Sequence, residues 1–225
     1  MDEETLPQAW LARLIGRALG WYLRLVAATS RFSGPPVTQE QTIFAIWHES
    51  NLVAATAAWH LRRNRRIVSF STRGFRGIMM NAMLRSMGSG VVTLPDEGSA
   101  TRAEAARLSL ELARVARSGH TVVVSCDGPF GPYRVAKPGA LLVARESGLP
   151  IQPWAVAIRP ALRIRSRWDR HLVPLPFSRM RVEEGEQIRV APRERLKPLL
   201  VHLQAELVRV AEIADQRMAG DWRRR

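Results

Sequence analysis

The sequence predicts an α/β fold: a mixed, mostly parallel sheet flanked by helices, preceded by an amphipathic helix. Three observations predict it. Short apolar runs at 42–47, 67–71, 90–94 and 122–126 alternate with longer segments of helical period, the alternation of a layered α/β domain. Val122, Val123 and Val124 are consecutive and β-branched, as in a strand covered on both faces. The 225 residues are 46% hydrophobic, enough for one large core.

Residues 6–31 read as a helix. At ~100° per residue, Arg13, Arg17, Arg24 and Arg31 fall within ~40° of one another. Trp10, Leu11, Leu14, Ile15, Leu19, Trp21, Tyr22, Leu25 and Val26 fill the rest of the circle. A wide apolar arc with Trp and Tyr, edged by arginines, suits a helix lying in a membrane interface. Ser33-Gly34-Pro35-Pro36 reads as a linker, which divides the chain into an interface helix (1–33) and an α/β domain (38–225).

In that domain, strand 42–47 is followed at once by His48, with Ser50 or Asn51 as N-cap of a helix to 61. Arg62, Arg63, Arg65 and Arg66 follow it and suit the helix dipole. Strand 67–71, a Met-rich helix 75–87 and strand 90–94 come next. Thr101 and Glu104 form a capping box for a helix ending at Gly119. After strand 122–126, Asp127-Gly128-Pro129 must turn, and Pro138-Gly139 opens a helix over 140–147. Pro150 and Pro153 make 149–158 an irregular strand. A short strand is expected at 162–166, loop at 168–169 and 174–177, and short strands at 179–183 and 187–190. Leucines at helical spacing place a core-covering helix at 195–218.

The net charge is +14, from 34 Lys and Arg against 20 Asp and Glu, and it calls for an anionic partner. Because the arginines are spread over amphipathic helices and no nucleic-acid motif appears, an anionic membrane surface is expected and nucleic acid is not. The single cysteine, Cys126, excludes an internal disulfide and a multi-Cys zinc site. No uncharged apolar run reaches membrane-spanning length, and the acidic start does not read as a secretory signal.

Two clusters carry chemistry. His48, at a strand end, is the candidate general base. Asp127, Gly128 and Pro129 at the next strand end, with Arg134 and Lys137 beyond, make a candidate site for an anionic ligand. His60, His120, His171 and His202 read as structural or solvated, and no His/Asp/Glu set has metal-ligand spacing. Neither a GxSxG elbow nor a Gly-rich phosphate loop is present.

The stretches IFAIWHESNL, SCDGPFGPYRVAKPGALLVARESGLPIQPWAVA and RSRWDRHLVPLPFSRM, in that order, resemble the lysophospholipid acyltransferase-like proteins of the domain-of-unknown-function 374 group. These are relatives of the glycerolipid and lipid A acyltransferases. The resemblance spans roughly 42–190 and implies an acyltransferase-like α/β fold. It also implies transfer of an acyl chain from a thioester, on CoA or acyl carrier protein, to a hydroxyl of a lysophospholipid or related lipid. No cofactor is implied, and the implied location is peripheral, at the cytoplasmic face of the inner membrane.

His48 matches the histidine of the superfamily's His-x4-Asp motif, Asp127-Gly128-Pro129 its acceptor-binding Glu-Gly block, and Leu149-Pro150-Ile151 with Pro153 its fourth motif. Val53 stands where that motif carries its aspartate. Asp127 and Glu49 are then the candidate carboxylates to serve His48, and without one of them the chain is a weak or inactive relative that binds lipid or an anionic headgroup. Leu94-Pro95-Asp96-Glu97-Gly98-Ser99 stands where many relatives carry an Arg-Gly-Ser stretch.

Overall fold

The computed structural model describes residues 8–38, 40–61, 66–71, 74–93, 102–128 and 131–223. The elements run α1 (Ala9–Thr29), β1 (Arg31–Ser33), β2 (Ile43–Ile46), a 3₁₀ turn (His48–Ser50), α2 (Asn51–Leu61), β3 (Ile67–Ser71) and α3 (Gly74–Ser86). They continue with β4 (Gly90–Thr93), α4 (Arg102–Arg117), β5 (Thr121–Ser125), α5 (Gly139–Ser147), β6 (Ile151–Arg163), β7 (Leu172–Glu184) and α6 (Leu196–Arg223).

The seven strands form one sheet in the order β1-β7-β6-β2-β5-β3-β4. Five neighbouring pairs are parallel, and the β6–β7 hairpin is the antiparallel one. The expected α/β fold with a mixed, mostly parallel sheet is therefore the observed one. β2 shows why the sequence pattern works. Successive residues face opposite sides of the sheet, so Ile43 and Ala45 join Val122, Val124, Leu141, Leu203 and Leu207 on one face. Phe44 and Ile46 join Val26, Val53, Ala57 and Trp154 on the other. A strand buried on both sides has to be apolar throughout.

Helix α1 is part of this fold. Its small residues Ala9, Ala12, Gly16 and Gly20 are buried, together with Leu23, Val26 and Ala27. A Cβ added to Gly16 would lie 2.1 Å from the Met79 carbonyl oxygen, and one on Gly20 would lie 1.7 Å from Ser86 Oγ. Glycine is thus what lets α1 settle directly on α3. The segment expected as a linker is tied down as well. β1 pairs with β7, and the Thr38 N–H donates to the Glu184 carboxylate at 3.0 Å.

The second half departs from expectation in three places. The strands expected at 149–158 and 162–166 are one long strand, β6 (Ile151–Arg163), whose register with β7 shifts between Arg159 and Ala161 around Pro160. Residues 174–177, expected as loop, lie inside β7; β1 pairs only with Arg179–Arg181, so Pro174 and Pro176 owe no N–H to a neighbour on that side. The strand expected at 187–190 is reduced to an isolated bridge between Ile188 and Ile151.

Most other elements match the reading to within a residue or two, but α1 spans Ala9–Thr29 where 6–31 was expected, and α6 (Leu196–Arg223) runs well past the expected end at 218. The Ser50 or Asn51 cap is not used: Asn51 Oδ1 accepts instead from Ser125 Oγ at 2.7 Å. Arg62, Arg63, Arg65, Thr101 and residues 94–99 lie outside the described residues.

Candidate functional site

β2 and β5 are parallel neighbours, with Ile46 opposite Ser125, and the Cys126 N–H donates to the Ile46 carbonyl at 2.8 Å. The two chains therefore leave the sheet side by side, at the carboxyl edge where open α/β sheets place their sites. This brings His48 and Asp127 together, but not side chain to side chain. Asp127 is fully buried; its Oδ1 accepts the His48 backbone N–H at 2.8 Å and its Oδ2 the Arg134 backbone N–H at 3.2 Å. Asp127 thus pins the start of the 3₁₀ turn and the loop after β5 to each other. Burial raises its carboxyl above the ordinary carboxylate value, against the lowering effect of those backbone donors.

Glu49 does not face His48 either. It is 1% exposed, and three segments converge on it. Its Oε1 accepts from Arg134 Nε at 2.7 Å, with Arg134 Nη2 on the same oxygen. Its Oε2 accepts from Tyr133 Oη at 2.9 Å and from Arg163 Nη1 at 2.6 Å. Arg134, expected to grip a ligand phosphate, is therefore engaged by Glu49. Gly128 sits at the turn with φ 64°, and the Lys137 side chain lies against it. Pro129 lies outside the described residues.

The carboxylate that does reach the imidazole is Asp169, from the loop between β6 and β7. Its Oδ2 lies 2.8 Å from His48 Nδ1, and Asp169 is fully buried while the His48 side chain is 22% exposed. Because β6 runs parallel to β2, its far end rises at the same edge as His48 and carries the loop over it. The loop is seated by Trp168, whose ring lies 5.1 Å from the His48 ring. A Cβ on Gly131 (φ 72°) would lie 2.7 Å from the Trp168 ring, so glycine lets the loop after β5 close against this indole.

Asp169 holds two further partners. Arg167 grips it with Nε on Oδ1 (2.9 Å) and Nη2 on Oδ2 (3.0 Å), and His171 Nδ1 lies 3.1 Å from Oδ2. Burial pushes the Asp169 carboxyl up, but hydrogen bonds from Arg167 and His48 and the nearby charges outweigh it and hold the group well below the ordinary carboxylate range. For His171, burial pushes the imidazole below its ordinary value, against the pull of Asp169. His171, expected to be structural or solvated, is thus part of the site. His60 stacks on Phe32 with centroids 3.8 Å apart, and His120 Nδ1 lies 2.9 Å from Ser118 Oγ. Cys126 is buried, and burial with the adjacent Asp127 drives its thiol far above the ordinary value, which leaves no thiolate nucleophile there.

With Nδ1 held by Asp169, His48 keeps Nε2 to take a proton, the arrangement of a general base with an orienting carboxylate. His48, Asp169 and His171 also bring three potential metal-ligand atoms within 4.8 Å of one another. The donor set does not suit a cation. Both Nδ1 atoms already contact the one oxygen, and the Arg167 guanidinium covers both carboxylate oxygens, so a metal would have to displace a positive charge.

Two openings adjoin the site. One is a cavity of about 70 Å³ lined by Trp47, Glu49, Arg163, Trp154, Val156 and Ala214, among others. The other is a groove of about 470 Å³ lined by Tyr133, Arg163, Arg165 and Arg170. No helix among the described residues is long and apolar enough to cross a membrane. No family model, curated protein or solved structure matches the chain.

Proposed function

We propose that the protein is an acyltransferase that moves an acyl chain from a thioester, on CoA or acyl carrier protein, to a hydroxyl of a lysophospholipid or related lipid. The observation that carries this reading is the 2.8 Å contact between His48 Nδ1 and buried Asp169 at the carboxyl edge of the sheet. In the proposed step His48 Nε2 takes the acceptor's hydroxyl proton as its oxygen attacks the thioester carbonyl. The tetrahedral intermediate collapses, the C–S bond breaks, and the leaving thiolate takes the proton back from the imidazolium. Asp169 holds the ring in the tautomer this requires. The sequence resemblance over 42–190 points to the same reaction.

We place the reaction at a membrane surface, and the exposed face of α1 supports that reading. Its buried stripe faces α3, while Trp10, Leu14, Trp21 and Leu25 on the far side are 54–66% exposed. Arg24 lies over the Trp21 ring at 4.2 Å. An indole-bearing face with guanidinium groups beside it suits the headgroup region of an anionic bilayer. Because α1 also fills part of the core, this attachment is tested by Trp10→Ser with Trp21→Ser rather than by truncation; the pair should release the protein from anionic vesicles without lowering its melting temperature.

Acyl transfer is tested with acyl-CoA and acyl carrier protein donors and a lysophospholipid acceptor. Wild type should turn over, and His48→Ala should not while still melting cooperatively. Equal rates for the two would end the reading. One observation favours the alternative of a weak or inactive lipid-binding relative: Arg167 shares the Asp169 carboxylate and blunts its help to an imidazolium. Vesicle binding by wild type with no transfer from either donor would favour that alternative.

A further inference from the structure

We infer that Arg165 and Arg170 of the β6–β7 loop, with Arg163 and Tyr133, form a binding groove for a phosphate group. The groove of about 470 Å³ has these four residues as its lining, three of them arginines. Arg163 is tied to Glu49, whose single charge is already shared with Arg134. Arg165 and Arg170 pair with no carboxylate among the described residues. Three guanidinium groups around one space repel one another unless an anion is shared between them. An oxyanion that accepts several N–H donors at once is the ligand they fit, and phosphate is the common one.

The floor is fixed before any ligand arrives. Tyr133 Oη donates to Glu49, and the Arg170 guanidinium lies 4.7 Å from the Tyr133 ring centroid. Arg163 Nη1 also donates to the Arg170 carbonyl at 3.3 Å, which ties the groove's two sides together. Arg170 holds a left-handed backbone, φ 47°, a conformation uncommon for a residue other than glycine.

The groove also adjoins the His48–Asp169 pair through the chain itself: Arg170 follows Asp169, and Glu49 follows His48. Arg165 and Arg170 thus remain open to a ligand among the described residues, unlike Arg134 and Arg163, which serve Glu49, and Arg167, which serves Asp169. That the phosphate belongs to the substrate acted on at His48 rests on the acyl-transfer reading; binding of the phosphate does not.

Binding is measured for the full chain with coenzyme A, with glycerol 3-phosphate, and with phosphatidylcholine vesicles that do or do not contain phosphatidic acid. Arg165→Gln/Arg170→Gln should weaken at least one phosphate probe by about tenfold or more. Arg195→Gln, an exposed arginine elsewhere that also removes a charge, should not. Loss for coenzyme A would assign the groove to the thioester donor. Loss for glycerol 3-phosphate or for phosphatidic acid vesicles would assign it to the lipid's phosphate end. If every probe binds the double variant as tightly as wild type, or none binds wild type, the groove is not a phosphate site. Wild-type protein that binds a phosphate probe but transfers no acyl group from either donor would sink the acyl-transfer reading alone. Transfer by the double variant with unchanged KM for donor and acceptor, and unchanged binding of every phosphate probe, would sink the groove alone.

Discussion

Glu49 and Asp169 are both buried carboxylates at the same edge of the sheet, 1% and 0% exposed, and both are met by arginine. They differ in what else surrounds them. Glu49 is met by Arg134, Arg163 and Tyr133, all of which keep their charge state through the neutral pH range. Asp169 is met by one arginine and by the imidazoles of His48 and His171, side chains of the type that can take up or release a proton near neutral pH. Two fixed positive charges on one fixed negative charge make a strut between the 3₁₀ turn, the loop after β5 and strand β6. One fixed positive charge beside two imidazoles makes a place where a proton can come and go. The kind of partner, rather than burial, separates the carboxylate that ties segments together from the one set beside two imidazoles.

The comparison breaks most visibly at Asp169. Asp169→Asn should lower kcat for acyl transfer by on the order of 10³–10⁴, the scale of losing the orienting carboxylate behind a catalytic histidine. Asp127→Asn keeps one acceptor oxygen for two backbone N–H groups, so it should cost about 1–2 kcal/mol in stability and much less in turnover. Comparable losses of kcat in the two variants, at equal melting temperature, would mean that Asp127 rather than Asp169 is the partner that matters.

Glu49 carries the next largest effect. Glu49→Gln leaves the Arg134 and Arg163 guanidinium groups facing each other with their shared counter-charge gone, and it should cost roughly 3–5 kcal/mol in urea unfolding. The folded fraction should still transfer acyl groups, because His48 and Asp169 remain. Wild-type stability in this variant would show that Glu49 is no strut, and lost turnover at full folding would move it to the chemistry.

Acid should separate the two regions by pH. Burial holds the His171 and His60 imidazoles below their ordinary value, so the unfolded chain binds their protons first as pH falls. Stability should therefore decline below about pH 6.5. The depressed Asp169 carboxyl contributes stability that is present above about pH 4 and lost as pH falls below it, because the unfolded carboxyl protonates first. In melting curves against pH, His171→Asn should flatten part of the upper decline and Asp169→Asn part of the lower one. An upper decline untouched in His171→Asn would assign it to His60.

How much of this the sequence contained depended on how local the signal was. β2, β3, β4 and β5 were legible from consecutive apolar residues, and the helices from periodicity and glycine stops. β6 and β7 read as fragments because of their prolines. Yet Pro153 sits where β6 pairs with β2, Pro160 at the register shift, and Pro174 beyond the end of β1, all facts of pairing. His48 and Asp127 stood out because each ends an apolar run. Asp169 did not, since it lies 121 residues from His48 in a loop rich in arginine. The one local sign was the run Trp168-Asp169-Arg170-His171, where an aspartate, a histidine and an indole crowd together. The Glu49 partner of Arg134 is hidden for the same reason: it is 85 residues away.

The finest test of the comparison is the one arginine on Asp169. Arg167 donates from Nη2 to the same Oδ2 that His48 Nδ1 contacts, and from Nε to Oδ1. It keeps Asp169 ionised and also draws charge away from the side facing the imidazole. Arg167→Gln should leave Asp169 a stronger partner for the imidazolium, so the acidic limb of kcat/KM against pH should move upward. The Arg167 side chain is 43% exposed, so water screens much of its charge and the shift should stay below about one pH unit. Stability should fall slightly, since a buried carboxylate loses two donors, and a melting curve separates that loss from the kinetic one. A limb that moves the opposite way, or does not move while Asp169→Asn abolishes turnover, would mean that Asp169 serves His48 by holding its orientation and not by its charge. Asp169 would then resemble Glu49 more closely than the partners around the two carboxylates suggest.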